Sequence, residues 1–150
     1  MSTLDTMKQI MERHKHVRLA TIDLKGNPYV RSVDYAVGDQ ENVLYILTPK
    51  DSRKVGQIKN TPNIAVAIDH DCPTMDDLQE LKYLKGTGTA ELIGSPEEME
   101  KAFGLLTKKL PFLKDLPGDP SDFVVIKIAL KEVLVTDNTI EFGHTEPLSF

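Results

Sequence analysis

The side chains best suited to chemistry in this sequence are bases concentrated at one predicted corner between a strand and a helix. Segment 50–59 contains four basic residues and one acidic residue, a local charge of +3 in a chain whose net charge is −5. The N–H groups at the start of a helix lack intrahelical partners, and the helix dipole favours an anion there. Ser52 adds a hydroxyl donor, Arg53 can grip a phosphate with two hydrogen bonds, and Lys54 adds a point charge. The pattern is typical of either a phosphate-binding corner or an ordinary solvated helix start.

Arg31 is the second candidate for binding an anion. It alternates with Val33 and Tyr35 on one face of a predicted strand, where both neighbours are expected to be half-buried. A buried guanidinium needs a partner because removing its charge from water is costly. The sequence leaves three interpretations open, namely a surface arginine, a salt bridge to an aspartate, or a ligand for an anion.

The remaining clusters of reactive side chains are weaker candidates. Asp69-His70-Asp71-Cys72 contains ligand types that metals prefer, but the four residues are too crowded to chelate one ion. No second cluster in the sequence completes a tetrahedral site, so we expect no metal. No pair of residues identifies a catalytic acid or base, and the catalytic residues therefore stay unassigned.

Short strands with two or three helices between them must position these candidates. Tight turns join the early strands, which makes them antiparallel, and glycines at bulges help a sheet to curve into a barrel. The sequence predicts a mainly β fold with added helices and about six or seven strands. The predicted helices are Ser2 or Thr3 to His14, Asp51 or Ser52 to Thr61, and Ser95 to Leu110, where Ser95 and Glu98 suggest a capping box. The predicted strands are 17–23, 29–37, 43–47, 64–68, 81–93 and 123–130, with a weak hairpin at 133–135 and 139–142; polar loops fill 69–79 and 111–122.

Composition limits the class of protein. The 150 residues suffice for a single domain, 1–150, and 40% hydrophobic with 27% charged residues is a soluble globular composition. A net charge of −5 argues against binding nucleic acid or an anionic membrane surface. The longest apolar run, Ile64–Ile68, is far too short to span a membrane. Because residues 1–5 do not resemble a signal peptide and Cys72 is the single cysteine, we expect a cytoplasmic protein.

Four segments appear in an order that resembles a known family. They are Arg31-Ser32-Val33, the loop Leu47–Lys54, the turn and strand Asn60–Val66, and the run Gly88–Leu92. The pyridoxamine 5'-phosphate oxidase-like family of FMN-binding split β-barrels has a similar series. In that family an Arg-x-Val strand precedes a Thr-x-x-x-Ser-Arg/Lys-Lys loop, an Asn-Pro turn and a Gly-Thr-Ala-Glu strand. The resemblance covers roughly 17–92.

This resemblance implies an antiparallel, Greek-key type split barrel that forms a homodimer, with FMN in the groove between two barrels. It further implies that one group of side chains holds the FMN phosphate, that the strand from Arg31 runs along the flavin edge, and that the start of the loop contacts the ring or ribityl chain. Tyr83 stands where the oxidases carry a glutamine, which is a departure from the family pattern. The implied FMN-binding residues are Arg31, Ser32, Val33, Asp34, Leu47, Thr48, Ser52, Arg53, Lys54 and Tyr83, of which Arg31, Ser52, Arg53 and Lys54 would hold the phosphate.

The implied function is an FMN-dependent oxidoreductase that transfers hydride or electrons to an unknown small substrate. Segment 143–150 lacks the Trp-Arg-Leu motif with which true pyridoxamine phosphate oxidases grip substrate. We therefore expect a short member of the family that does not make pyridoxal phosphate. The alternatives are a flavin carrier or sensor without turnover, a barrel that binds haem or a deazaflavin instead, and a plain interaction domain.

Overall fold

Strands dominate the chain in the computed structural model, which describes all 150 residues. The expected mainly β class is confirmed, with eight strands rather than six or seven, because one is a two-residue strand and another closes the chain. None of the helices combines the length and the apolarity that crossing a membrane requires. In chain order the elements are α1 (Thr3–Arg13), β1 (His16–Ile22), β2 (Pro28–Asp34), β3 (Ala36–Val37), β4 (Val43–Pro49), α2 (Arg53–Asn60), β5 (Asn63–Ile68), α3 (Met75–Gln79), β6 (Lys82–Leu92), α4 (Pro96–Lys109), two 3₁₀ turns (Pro111–Asp115 and Pro120–Asp122), β7 (Phe123–Asp137) and β8 (Thr145–Ser149).

One bent strand connects the two ends of the sheet. The strand order is β2-β1-β5-β6-β7-β4-β3, with β8 on the outside of β7, and every pairing is antiparallel. The terminal strands β2 and β3 are separated only by Tyr35, so the predicted continuous strand 29–37 is wrong at this residue. Tyr35 is fully buried, and its hydroxyl donates a hydrogen bond to the carbonyl of Met11 at 2.7 Å. The strand is thus interrupted at a residue whose side chain is anchored beneath α1.

The barrel is open along one side. Strand β3 pairs with β4 only at Leu44 and Tyr45, so the later part of β4 has β7 on one side and no strand on the other. The outer edge of β2 is also unpaired. We call the space between these two edges the β2–β4 gap. Such an opening is the defining feature of a split barrel.

The core occupies both sides of β4. Leu44 and Ile46 pack inside the barrel against α1, whereas Val43 and Tyr45 pack on the opposite face beneath α4. The prediction that this strand is apolar on both faces is therefore confirmed. Burial on two faces fixes the position of β4, and with it the loop that leads into α2.

Strand β6 bends at a glycine, as the sequence predicts. The register between β6 and β7 shifts between Thr87 and Gly88. A Cβ atom at Gly88 would collide with the backbone carbonyl of Ala129, so only glycine fits this close approach. The bulge increases the curvature that the barrel needs.

One predicted hairpin and one predicted loop differ from the structure. Strand β7 continues past residue 130 to Asp137, and its hairpin partner is β8 rather than 139–142, which forms the connecting turn. The exposed Lys131 and Glu132 interrupt the apolar pattern, and Lys131 is the extra residue of the bulge opposite β6, yet β7 continues through both residues. The polar loop 69–79 contains the short helix α3, which has no buried residue and therefore shows no apolar period.

Candidate functional site

Helix α2 closes one end of the barrel beside Arg31. Val55, Gln57 and Ile58 are buried, and the helix packs against β1 and β6. Ser52, one of the two predicted cap residues, occupies the N-cap position, but its hydroxyl accepts no capping hydrogen bond and lies 3.2 Å from the Thr48 hydroxyl. The N–H groups at the start of α2 are consequently not capped by this side chain, and an external acceptor could bond to them.

Arg31 lies on the inner side of β2, directly beneath α2. Its guanidinium donates hydrogen bonds to the Thr21 hydroxyl at 2.7 Å, to the Gln57 side-chain oxygen at 2.9 Å and to the Leu19 carbonyl at 3.3 Å. All three acceptors are neutral, so the positive charge is held in place without being neutralised. Burial lowers the pKa of Arg31, which means that the site disfavours an uncompensated cation.

Lys54 brings a second unpaired cation to the same place. Its ammonium is half-buried, and burial, followed by repulsion from Arg31, lowers its pKa. Arg31, Arg53 and Lys54 form no ion pair with any carboxylate. The carboxylate of Asp23 lies nearby, but it accepts hydrogen bonds from the N–H groups of its own turn at 2.8 and 2.9 Å. We call Arg31, Ser52, Arg53 and Lys54 the cationic cup.

A shallow groove of about 370 Å³ extends from the cup. Arg53 is exposed and lines this groove together with Gln57 and Tyr29, whose ring is 43% exposed. The Arg31 guanidinium lies 5.9 Å from the centre of the Tyr29 ring. The groove therefore combines cations with one flat apolar surface.

The other predicted residues border the β2–β4 gap. Ser32, Val33 and Asp34 follow Arg31 on β2. A carboxylate oxygen of Asp34 lies 2.8 Å from Nε2 of His16. On β4, Thr48 is buried next to Ser52, whereas the Leu47 side chain lines an apolar cavity on the opposite face. Leu47 can thus reach the gap through its backbone only. The structure brings these residues and the cup to one side of the barrel.

Tyr83 is not part of this assembly within one chain. It lies on β6 opposite Thr136, and strands β5 and β1 separate β6 from β2. The ladder row that contains Arg31 crosses β6 at Gly86, three residues from Tyr83. The predicted contact between Tyr83 and a ligand therefore stays a prediction.

Thr21 and Gln57 were not among the predicted site residues. Both are buried and are joined by a 2.5 Å hydrogen bond, and both accept hydrogen bonds from Arg31. The tight turn at Lys25–Pro28 signals that Thr21 pairs near Arg31, and Gln57 follows Arg53 by one helical turn. These two signals place both residues near Arg31, but they do not show that either residue accepts a hydrogen bond from it.

Comparison with known proteins assigns the chain to a family. The profile of the pyridoxamine 5'-phosphate oxidase family matches residues 3–137. The chain belongs to this family. Among curated relatives, general stress protein 26 of Bacillus subtilis (strain 168) is 27% identical over 140 residues, which cover 93% of this chain and 89% of that protein. The resemblance found in the sequence motifs is therefore confirmed.

Solved structures show the shared fold of this pyridoxamine 5'-phosphate oxidase family member. A haem-binding protein from Mycobacterium smegmatis superposes with a TM-score of 0.81 at 18% identity; the match covers 99% of this chain and 58% of that chain. The haem storage protein HutZ from Vibrio cholerae superposes with a TM-score of 0.72 at 17% identity, covering 87% of this chain and 92% of that chain. At these identities the likeness establishes the split barrel and nothing about the ligand.

Proposed function

We propose that this protein binds FMN, with the phosphate held in the cationic cup. The observation that carries the proposal is the group of three cations, Arg31, Arg53 and Lys54, which have no carboxylate partner at an uncapped helix start. The phosphate monoester of FMN carries nearly two negative charges at neutral pH, so it would relieve the cost of keeping these cations out of water. Arg31 would meet it in an orientation already fixed by Thr21 and Gln57.

The surroundings of the cup suit the rest of FMN. The flavin ring is a flat apolar plate with polar edges, and the β2–β4 gap offers unpaired backbone groups at an opening of the barrel. Ser32 and Asp34 add polar atoms along β2, and the Thr48 hydroxyl lies close to Ser52. Bound FMN supplies hydride and electron transfer, while the protein positions it and adjusts its electrostatics.

We further propose that the protein is a cytoplasmic oxidoreductase acting on a small molecule. Its membership of the pyridoxamine 5'-phosphate oxidase family supports flavin chemistry, and its single cysteine fits a reducing compartment. Turnover distinguishes this proposal from a flavin carrier. If a reduced nicotinamide reduces the bound flavin and an acceptor reoxidises it repeatedly in stopped-flow absorbance, the enzyme proposal is supported; if no donor reduces it, the carrier is favoured.

A homodimer is the proposed assembly. Four apolar side chains on β7 and on the segments that follow it are exposed. Exposed apolar side chains favour an interface with another protein surface. The measurement is light scattering during gel filtration, where a monomer mass would contradict the proposal. The four residues are Leu134, Ile140, Phe142 and Phe150.

The absorption spectrum of the purified protein is the first experiment. Flavin absorbs in two visible and near-ultraviolet bands, haem gives a Soret band, and a deazaflavin has its own maximum. The haem proteins that share the fold make haem the main alternative ligand. A flavin spectrum, with FMN identified by mass spectrometry after release, supports the proposal, and a Soret band alone contradicts it.

Removing charge from the cup tests the phosphate contact directly. The double variant Arg53→Ala/Lys54→Ala should bind FMN about 100-fold more weakly and riboflavin nearly as well as the parent protein, because only FMN has the phosphate. Lys59→Ala is the matched control, since Lys59 lies in the last turn of the same helix. Equal losses for both ligands in calorimetric titrations would show that the cup does not hold the phosphate.

A further inference from the structure

A second cavity lies away from the cup, between α1, β3 and α4. Its volume is about 520 Å³, and its walls combine apolar side chains from all three elements with charged groups. Two of its carboxylates already have partners, because Glu41 pairs with Lys8 at 3.7 Å and Asp39 pairs with Lys101. Glu12 is the remaining carboxylate of the cavity and forms no ion pair.

Lys109 presents an unusual amine to this cavity. It is half-buried, and its Nζ donates a hydrogen bond to the Met11 carbonyl at 3.0 Å and lies 3.6 Å from the centre of the Tyr35 ring. These contacts fix the position of the nitrogen without neutralising it, because Lys109 forms no ion pair. The neighbouring Lys108 also lines the cavity but is exposed.

Burial makes this amine easier to deprotonate than an ordinary lysine. Burial, with a smaller contribution from Lys15, lowers the pKa of Lys109 from 10.5 to about 8, although the carboxylates of Asp34 and Glu12 act in the opposite direction. At pH 7.5 about one fifth to one quarter of such an amine is neutral, roughly 200 times the fraction of an ordinary lysine. Only the neutral amine is a nucleophile, and desolvated lysines are used for this reason in imine chemistry.

We propose that Lys109 is a nucleophilic amine that forms an imine with small aldehydes bearing a carboxylate, bound in the cavity between α1, β3 and α4. The apolar walls, including Val37 and Leu105, would hold the carbon chain of the aldehyde. Lys108 at the rim has no carboxylate partner and supplies the cation for the aldehyde's own carboxylate. This site is separate from the cationic cup and does not depend on FMN.

The reaction is balanced and involves no change of oxidation state. The Lys109 nitrogen adds to the carbonyl carbon and gives a carbinolamine, whose hydroxyl leaves as water when the carbon–nitrogen double bond forms. The two protons of the amine leave with that oxygen, so one aldehyde and one amine give one imine and one water. The Glu12 carboxylate lines the same cavity, and its proposed role is to accept a proton from the adding amine and return it to the departing hydroxyl.

The experiment traps the imine in the intact protein. The protein is incubated with glyoxylate at pH 7.5, reduced with borohydride and digested, and each lysine is read by peptide mass spectrometry. We expect labelling of Lys109 to exceed that of Lys108 at least tenfold and to saturate with glyoxylate concentration. Labelling of Lys109 at or below the level of Lys108, or a yield that rises linearly without saturation, would overturn the proposal.

Conservative variants separate reactivity from folding. Lys109→Arg keeps the charge and the hydrogen-bonding capacity but cannot form an imine, so the excess labelling should disappear while the other lysines react as before. Lys108→Arg is the matched control and should preserve labelling of Lys109. Acetaldehyde, which lacks the carboxylate, should label Lys109 at least threefold less than glyoxylate does; equal labelling would overturn the assignment of an anionic aldehyde.

Discussion

The first turns of α2 and α4 have opposite electrostatic arrangements. At α4, the Ser95 hydroxyl accepts a hydrogen bond from the N–H of Glu98 at 3.4 Å, and the first turn is acidic. At α2, the Ser52 hydroxyl caps nothing and the first turn has no acidic residue, whereas Arg53 and Lys54 stand there. A helix dipole is stabilised by the first arrangement and destabilised by the second.

The partners of the charged groups differ in the same way. The Glu98 carboxylate accepts hydrogen bonds from Lys127 at 2.9 Å and from the Tyr45 hydroxyl at 3.1 Å, and the bond from Lys127 is the main cause that lowers the pKa of Glu98. Arg31 and Lys54 have no such partner. A helix start whose charges are compensated within the chain stabilises the fold, and a helix start whose charges are not compensated is available to an external anion.

The largest expected effect is on the affinity for FMN, which should depend on the cations of the cup and not on those near α4. Arg31→Met should weaken FMN binding about 100-fold, because it removes a charge-assisted hydrogen-bonding group that Thr21 and Gln57 hold in place. Lys127→Met removes a cation of the α4 region and should leave the affinity unchanged. Fluorescence titration of FMN measures both, and comparable losses in the two variants would remove the distinction.

The second largest effect concerns the stability of the protein and is expected at the start of α4. Glu98→Gln should lower the Tm of the ligand-free protein by about 2–4 °C, since Lys127 loses its ion pair and the helix loses a favourable charge. Glu97→Gln changes the same first turn without breaking an ion pair and serves as the control. If both variants lower the Tm equally in differential scanning calorimetry, the Lys127–Glu98 ion pair does not contribute to stability.

A smaller effect of opposite sign is expected in the cup. Lys54→Met should raise the Tm of the ligand-free protein by about 1–2 °C, because it removes a half-buried cation that Arg31 repels. The same substitution should weaken FMN binding, so that stability and affinity change in opposite directions. A lower Tm, with Lys59→Met as the reference, would mean that the cup is already compensated without a ligand.

The smallest expected effect concerns Lys109, a half-buried cation outside the cup that also forms no ion pair. Its folded-state pKa of about 8 lies below the ordinary 10.5, so between these pH values the unfolded chain binds more protons than the folded one. The free energy of unfolding, measured with denaturant, should therefore rise between about pH 8 and 10.5 because of Lys109. Lys109→Met should reduce this rise and Lys108→Met should not; an unchanged slope in the Lys109 variant would contradict the assignment.

The sequence predicts the fold class, the start of α2 and the bulge at Gly88 because each depends on local chemistry. Apolar alternation marks the strands, and the basic segment at 50–59 marks the charged corner. The capping box at Ser95 is only half correct, since the Glu98 carboxylate bonds to Lys127 instead of returning to the cap. A partner 29 residues away cannot be identified from a local motif.

Contacts between distant segments explain the rest of what was missed. The bend at Tyr35 depends on a carbonyl of α1, and the roles of Thr21 and Gln57 depend on how α2 settles against β1. Neither requirement leaves a pattern at the residue itself. Tyr83 was predicted from its position relative to the family pattern, where the oxidases carry a glutamine, and it lies three strands from Arg31 along the sheet of one chain, so this contact stays a prediction.

The bend at Tyr35 determines more than the path of the chain. Since β2 and β3 are the first and last strands of the same sheet and only Tyr35 separates them, the backbone angles at this residue influence the width of the β2–β4 gap. The hydrogen bond from Tyr35 to Met11 ties those angles to the end of α1. A chain without its first helix would keep every cation of the cup and lose this restraint on the β2–β4 gap. If the proposed ligand binds there, we expect selectivity for its shape to decline before selectivity for its charge.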